Sequence, residues 1–352
     1  MQKIDFIHLV PELFSYGAYG MLSELHYAID KYYSDNVNQH IISIDPSKVK
    51  KYIPRFNLKY DKVNIQDLKT HIKNTYNNPA VFMHKIAKTD CRDVSKILYK
   101  NFPFFIINHT QLNRFKGLAS ANAIIAVSDH MHKSIKSERP GYSVEIIRNG
   151  VNADRYRDIK PTELEVVQNY FVTGRMNNFN NTKHPADWID FIKNQQFNKP
   201  LWHDYLGSGS SYKSSKSQSL VKNNKFSHIQ NKLHLPGRID NFDHKVGYIR
   251  RWDCFFYEIR GTEGTSMSLL ESLACGVPAI INNKPGNHEI IENNVNGFVY
   301  NKRDQAVKII NKFIDNPSFL SDMKESTKEH FDKYLDAKIM AKEYVELAQS
   351  EL

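Results

Sequence analysis

The chain has 352 residues, 41% of them hydrophobic, which suits about two folding units, and its lack of any apolar run of about 18 residues excludes a membrane-spanning helix. Net charge is +10, and residues 1–150 alone hold 21 Lys and Arg against 13 Asp and Glu; this surplus of +8 fits an anionic partner and, equally, a solvated basic surface. Cys91, Cys254 and Cys275 lie far apart without metal spacing, so they read as reduced thiols of a cytoplasmic protein, and the opening Met1-Gln2-Lys3-Ile4 has no signal-peptide character.

Short β-rich runs alternate with helical patterns along the chain. Strands are predicted at Ile4–Val10, His40–Ile44, Ala80–His84, Phe104–Asn108, Ala123–Val127 and Val144–Arg148, with helices at Met21–Tyr33 and Asp90–Tyr99. A polar stretch rich in turn residues, Asn149–Pro161, follows, and then the alternation restarts. Strands are expected at Val166–Thr173, Leu201–Leu206, His234–Pro236, Cys254–Glu258, Pro278–Asn282 and Gly297–Val299. Helices are expected at Pro185–Asn194, Ser266–Ala274 and Arg303–Asp315. Such alternation makes α/β units with a parallel sheet covered by helices on both faces. Two Rossmann-like, doubly wound domains, residues 1–155 and 156–333, would face each other across a cleft. Ligands would gather there, at the carboxyl ends of the strands.

The densest chemistry lies in Glu263-Gly-Thr-Ser-Met-Ser-Leu-Leu-Glu271, continued by Ser-Leu-Ala-Cys-Gly276-Val-Pro278. A predicted strand runs into a glycine-containing loop, and a helix begins near Thr265 or Ser266. Backbone N–H groups left free at a helix start receive phosphate oxygens. Glu263 stands before that helix and Glu271 in its second turn, and carboxylates accept hydrogen bonds from sugar hydroxyls. The plainer alternative makes Glu263 an acid favoured by the helix dipole and Glu271 a surface residue. Neither a P-loop, an Asp-x-Asp pair nor a His-x-x-x-His pair occurs, and Gly207-x-Gly209 lacks the third glycine of a dinucleotide fingerprint, so neither a metal nor a bound cofactor is expected.

This stretch resembles the E-x7-E signature of glycosyltransferase family 4, whose members are retaining enzymes of the GT-B fold. In that family the first Glu contacts the donor sugar, the following amides approach sugar and phosphates, and the second Glu holds the ribose. The resemblance implies these roles for Glu263, for Gly264, Thr265 and Ser266, and for Glu271. Further matches run in the family's order. Ala126-Val-Ser128 is similar to a strand end of the acceptor domain, and Ile147-Arg-Asn-Gly-Val-Asn-Ala-Asp154 to its interdomain segment. Phe171-Val-Thr-Gly174-Arg175 is similar to the strand ending in Gly-Arg, with Lys183 as the Lys after it. Leu206-Gly207-Ser-Gly209 is similar to the G-x-G loop, and Leu235-Pro-Gly-Arg238 to the loop near the nucleobase. Residues 334–352 resemble the closing helix that crosses back to the first domain. Arg175 and Lys183 make physical sense as a clamp on the departing nucleoside diphosphate, because fixed cations stabilise charge that grows as the glycosidic bond breaks. His109, after Ile106-Ile-Asn, matches the family's strand-end His that faces the donor sugar, with His84 as rival. Gly17, in Tyr16-Gly17-Ala-Tyr-Gly20, is the nearest match to the family's adjacent glycines before the first helix. The implied activity is metal-independent transfer from a nucleotide sugar, with UDP as the expected carrier, and with same-face attack in which the leaving phosphate helps to take the acceptor proton.

The acceptor would lie against the basic first part. One basic feature is Lys48, Lys50, Lys51, Arg55, Lys59 and Lys62, interleaved with Tyr52, Ile53, Phe56 and Tyr60; the other is Lys88, Arg92, Lys96 and Lys100, spaced by four along one side of a helix. Such a stripe docks on anionic lipid, as at the periphery of a membrane, or on a DNA backbone. The resemblance favours a glycan or lipid-linked acceptor. A virus-encoded enzyme that glycosylates a hydroxymethylated DNA base is the alternative. A sugar-nucleotide epimerase of the same architecture and a non-catalytic nucleic-acid-binding protein are the competing classes.

Overall fold

The computed structural model describes residues 2–10, 16–44, 59–85, 92–109, 120–163, 167–177, 188–207 and 231–352. The chain divides into two compact units, Met1–Asn152 with Leu335–Leu352, and Ala153–Tyr334.

The first unit holds a seven-stranded, wholly parallel sheet built from β1 (Ile4–Val10), β2 (Val37–Ser43), β3 (Asp61–Lys62), β4 (Pro79–Lys85), β5 (Phe104–Asn108), β6 (Ala123–Ala126) and β7 (Val144–Ile146), in the order β3-β2-β1-β4-β5-β6-β7. Every residue of β1 and β5 is buried, as expected for strands covered on both faces. Connecting helices are α1 (Tyr16–Tyr32), α2 (Leu68–Thr75), α3 (Arg92–Leu98) and α4 (Asp129–Glu138). Helix α4 is started by Ser128, whose hydroxyl accepts from the Met131 N–H at 3.2 Å. The sheet order reverses direction between β1 and β4, so their carboxyl ends form the unit's switch point.

The second unit repeats the scheme. Its strands β8 (Phe171–Met176), β9 (Leu201–Leu206), β10 (Lys232–Gly237), β11 (Cys254–Tyr257), β12 (Ala279–Asn282) and β13 (Gly297–Tyr300) form a parallel sheet ordered β10-β9-β8-β11-β12-β13. Its helices are α5 (Ala153–Arg157), α6 (Trp188–Asn194), α7 (Phe242–Arg250), α8 (Met267–Ala274), α9 (Arg303–Asp315) and α10 (Pro317–Tyr334). Trp188, Phe256, Ile280, Ile310 and Phe313 anchor its core. The switch point falls between β8 and β11. The chain then returns to the first unit as α11 (Ala337–Glu351), which Asp336 caps and which packs on α1.

A sequence-based boundary is corrected: the strand expected from Val166 begins only at Phe171, because Val167–Tyr170 turns instead. Residues 185–187 of the helix expected from Pro185 lie outside the described residues, and the helix is described from Trp188 onward. Among the described residues, no helix is long and apolar enough to cross a membrane.

Candidate functional site

In the second unit, β8 delivers Gly174 and Arg175 to the switch point. A Cβ on Gly174 would sit 1.9 Å from the Trp252 indole, so the glycine is required for packing, a reason the sequence reading did not contain. Arg175 is fully buried. Its Nε donates to Asn177 Oδ1 at 3.0 Å and its Nη2 to the Glu258 carbonyl at 3.2 Å. The guanidinium lies over the rings of Tyr205 and Tyr257, 4.7 and 4.9 Å from their centroids. Hydrogen bonds and aromatic faces together offset part of the cost of burying the charge.

Tyr257, the last residue of β11, links Arg175 to the acidic loop. Its ring faces the guanidinium, and its hydroxyl donates to Glu263 Oε2 at 3.4 Å. Burial first, and then the Glu263 charge, push that phenol well above its ordinary range, so it stays a donor. Asn287 Nδ2 donates to the same Oε2 at 3.2 Å, while Asn287 Oδ1 accepts from the Ser266 N–H at 3.0 Å. Ser266 N–H, expected to approach phosphate, is therefore already committed. Gly264 and Thr265 lie between the two anchored positions, and the first turn of α8 follows. Gly286 has φ +93°, and a Cβ there would meet the Glu263 carbonyl at 1.8 Å and that of Gly264 at 2.3 Å. The Pro285-Gly-Asn287 turn thus shapes the acidic loop, although nothing in the loop's own residues announces it.

Glu271 is buried in the second turn of α8, contrary to the surface alternative. Its Oε1 accepts from Lys245 Nζ at 2.7 Å and from the Tyr156 hydroxyl at 3.4 Å. Its Oε2 is buried and has no hydrogen-bond partner among the described residues. A buried carboxylate oxygen with unused lone pairs is costly unless a ligand completes it. Lys245 is itself buried and lies on α7.

Gly207 ends β9 at φ +138°, and a Cβ would press 2.0 Å from the Asn177 carbonyl, so glycine holds the ends of β8 and β9 together. Its N–H donates to Gly237 O at 2.9 Å. Arg238, expected near a nucleobase, pairs with Asp240. Lys183 and Gly209 lie outside the described residues.

In the first unit, His109 follows the carboxyl end of β5, and its ring stacks on His84, with centroids 5.1 Å apart and planes at 17°. The two residues weighed as rivals are thus hydrogen-bonded neighbours, His84 Nδ1 to His109 Nε2 at 2.9 Å. Behind them His8, which sequence reading passed over, lies 3.1 Å from His84. Gly17 is exposed in the first turn of α1 and has open space where a Cβ would go, so packing gives no reason for it. Of the basic stripe, Lys96 is exposed and 3.6 Å from Asp93, and Lys100 reaches over Tyr99. Lys88, Lys48, Lys50, Lys51 and Arg55 lie outside the described residues. Among those residues no group of three or more His, Cys, Asp or Glu is arranged to hold a metal ion.

Comparison with known proteins places this geometry. Residues 158–330 match the family described as glycosyl transferases group 1. An uncharacterized glycosyltransferase of Methanocaldococcus jannaschii is 29% identical over 219 residues, which span 61% of this chain and 56% of that relative. A glycosyltransferase structure from Rickettsia africae superposes with a TM-score of 0.78 at 16% identity over 99% of both chains. Anabaena HepE in complex with UDP gives 0.74 at 16% identity, over 99% of this chain and 100% of that one. A lipopolysaccharide outer core galactosyltransferase, WaaB, gives 0.70 at 18% identity over 100% of both. The two α/β units have the GT-B fold, and residues 158–330, which carry the Arg175, Glu263 and Glu271 constellation, are similar to the glycosyl transferases group 1 family.

Proposed function

We propose that the protein is a retaining, metal-independent glycosyltransferase of family 4 that moves a sugar from a UDP-sugar to a glycan or lipid-linked acceptor. The observation that carries this reading is Glu271: a buried carboxylate in the group 1 domain whose Oε2 awaits a donor while Lys245 and Tyr156 hold Oε1. A ribose hydroxyl supplies such a donor. Glu263, eight residues earlier and fixed by Tyr257 and Asn287, is assigned to the transferred sugar. Arg175 supplies fixed positive charge for the departing diphosphate, with Lys183 as its partner in that role. His109 and Gly17 are assigned to the sugar and phosphates from the first unit. UDP as carrier is supported by Anabaena HepE, which was solved with UDP and with UDP-glucose, and the lipid-linked acceptor by WaaB, a lipopolysaccharide outer core galactosyltransferase.

A thermal-shift screen of nucleotide sugars tests the donor assignment, because a ligand that binds the folded state raises the midpoint. UDP-sugars are expected to raise it, and to do so equally in EDTA. A response that appears only with magnesium or manganese would remove metal independence. NMR of the product linkage is expected to show the donor's anomeric configuration, and an inverted anomer would contradict the retaining assignment.

A further inference from the structure

Three histidines of the first unit are joined into one hydrogen-bonded row, and the strand register explains how. His8 on β1 stands opposite Phe82 on β4, and His84 is two residues further on, hence on the same face. His84 stands opposite Ile107 on β5, and His109 is again two residues on. The rings therefore climb like a staircase toward the carboxyl end of the sheet. His8 Nδ1 lies 3.1 Å from His84 Nε2, and His84 Nδ1 lies 2.9 Å from His109 Nε2. His8 is stacked on Phe82, with centroids 5.4 Å apart, which seals the inner end.

Burial keeps all three rings neutral: it lowers His8 to about 3 and His109 to about 4, and it lowers His84 too, helped by both neighbours. A neutral imidazole carries one N–H and one lone pair. Two contacts of this polarity leave only two arrangements, with all three rings protonated at Nδ1 or all three at Nε2. The rings therefore share one tautomer. The inner end decides which. His8 Nε2 is buried without a hydrogen-bond partner. In the Nε2–H set it would be an orphaned donor, and buried N–H groups without acceptors are the rarer fault. In the Nδ1–H set it is only an unused lone pair among aromatic carbons.

We propose that His8 and His84 are positioning residues that lock His109 in its Nδ1–H tautomer, so that His109 offers a bound sugar a hydrogen-bond donor and selects a sugar oxygen able to accept. The selection of a sugar oxygen rests on the assignment of His109 to the sugar made above; the tautomer lock does not. A third ring thus sets the polarity of the first, two strands away.

The experiment is nitrogen-15 NMR of histidine-labelled full-length protein, with the three rings assigned by substitution. It needs no ligand. All three rings are expected to be neutral and protonated at Nδ1. His8→Asn keeps an N–H near the position of Nδ1 and is expected to preserve the His109 signal, whereas His8→Asp puts an acceptor oxygen opposite His84 Nε2, favours an Nε2–H there and so turns His109 to the Nε2–H form. With the UDP-sugar, His8→Asp is expected to raise KM about three- to tenfold with little change in kcat, and His8→Asn to stay within about twofold. An Nε2–H His109 in the unsubstituted protein, or a His109 signal indifferent to His8→Asp, overturns the lock. Should His8→Asp fail to fold, the unsubstituted spectrum and His8→Asn still decide. If the Nδ1–H row is found and no nucleotide sugar binds, the lock stands and the sugar assignment falls.

Discussion

Glu271 carries its chemistry on two oxygens with different fates. Lys245 and Tyr156 fix Oε1, so the carboxylate cannot rotate freely, while Oε2 has no hydrogen-bond partner among the described residues. Glu271→Ala is expected to weaken nucleotide binding by about 1–3 kcal/mol, measured by calorimetric titration. Unchanged affinity would take Glu271 out of the site. Lys245→Met separates orientation from contact. It leaves Glu271 present but loses the 2.7 Å ion pair, and breaking a buried pair from one side costs about 3–5 kcal/mol. Lower stability in chemical denaturation is therefore expected together with weaker nucleotide binding. Normal stability and normal binding would show that the pair is incidental.

At the scale of elements, legibility in the sequence followed periodicity. Strands β1, β5 and β9 were readable to the residue because their faces are largely buried, so apolar residues dominate each even where Asp5, His8, His203 and Asp204 interrupt β1 and β9. Helix α10 went unread because its buried positions, Leu320, Met323, Thr327 and Phe331, form a narrow stripe among Lys, Asp and Glu. Helix α7 also went unread, and Lys245 with it, because its nine residues bury the consecutive run Lys245–Ile249, which includes Gly247 and a lysine, and so show no helical apolar stripe. Within the candidate site, Glu263 and Glu271 were singled out by their resemblance to the E-x7-E signature, whereas Tyr257, Asn287 and Tyr156 were not. Those three reach the glutamates through tertiary contacts that no local pattern encodes. Gly286 is the sharpest case. Gly286→Ala is expected to displace the Glu263-Gly264 loop, since its Cβ would fall 1.8 Å from a backbone oxygen, and to reduce transfer activity well before global stability fails. An unchanged kcat/KM would show that the loop geometry is dispensable. The basic stripe belongs to this scale as well. Changing Arg92, Lys96 and Lys100 to Gln is expected to weaken acceptor use and to flatten its salt dependence while sparing nucleotide affinity. Vesicles and duplex DNA tested side by side would separate the lipid-linked acceptor from the DNA alternative.

For the whole molecule, the histidine row is also a term in stability. In the unfolded chain each imidazole titrates near 6.5, whereas in the folded chain His8 and His109 stay neutral down to about 3 and about 4. Above 6.5 both states are neutral and the row adds no pH dependence. As pH falls below 6.5, only the unfolded state gains protons, and each histidine removes about 1.4 kcal/mol of stability per pH unit. Denaturation midpoints are expected to be flat between pH 7 and 8 and to fall steeply from pH 6 to 5, and His8→Phe should lessen that fall. The return of α11 to the first unit bears on how the protein is made. Residues 153–334 interrupt a unit whose own last helix comes after them. Val151 bridges to Asp336, and Tyr344 packs edge-on against Phe82, so the first sheet lacks part of its cover until those residues exist. On a ribosome, where domains ordinarily fold in order of emergence, the inner unit can mature first while the earlier-made sheet waits, with apolar surface bare, for a helix still being synthesised.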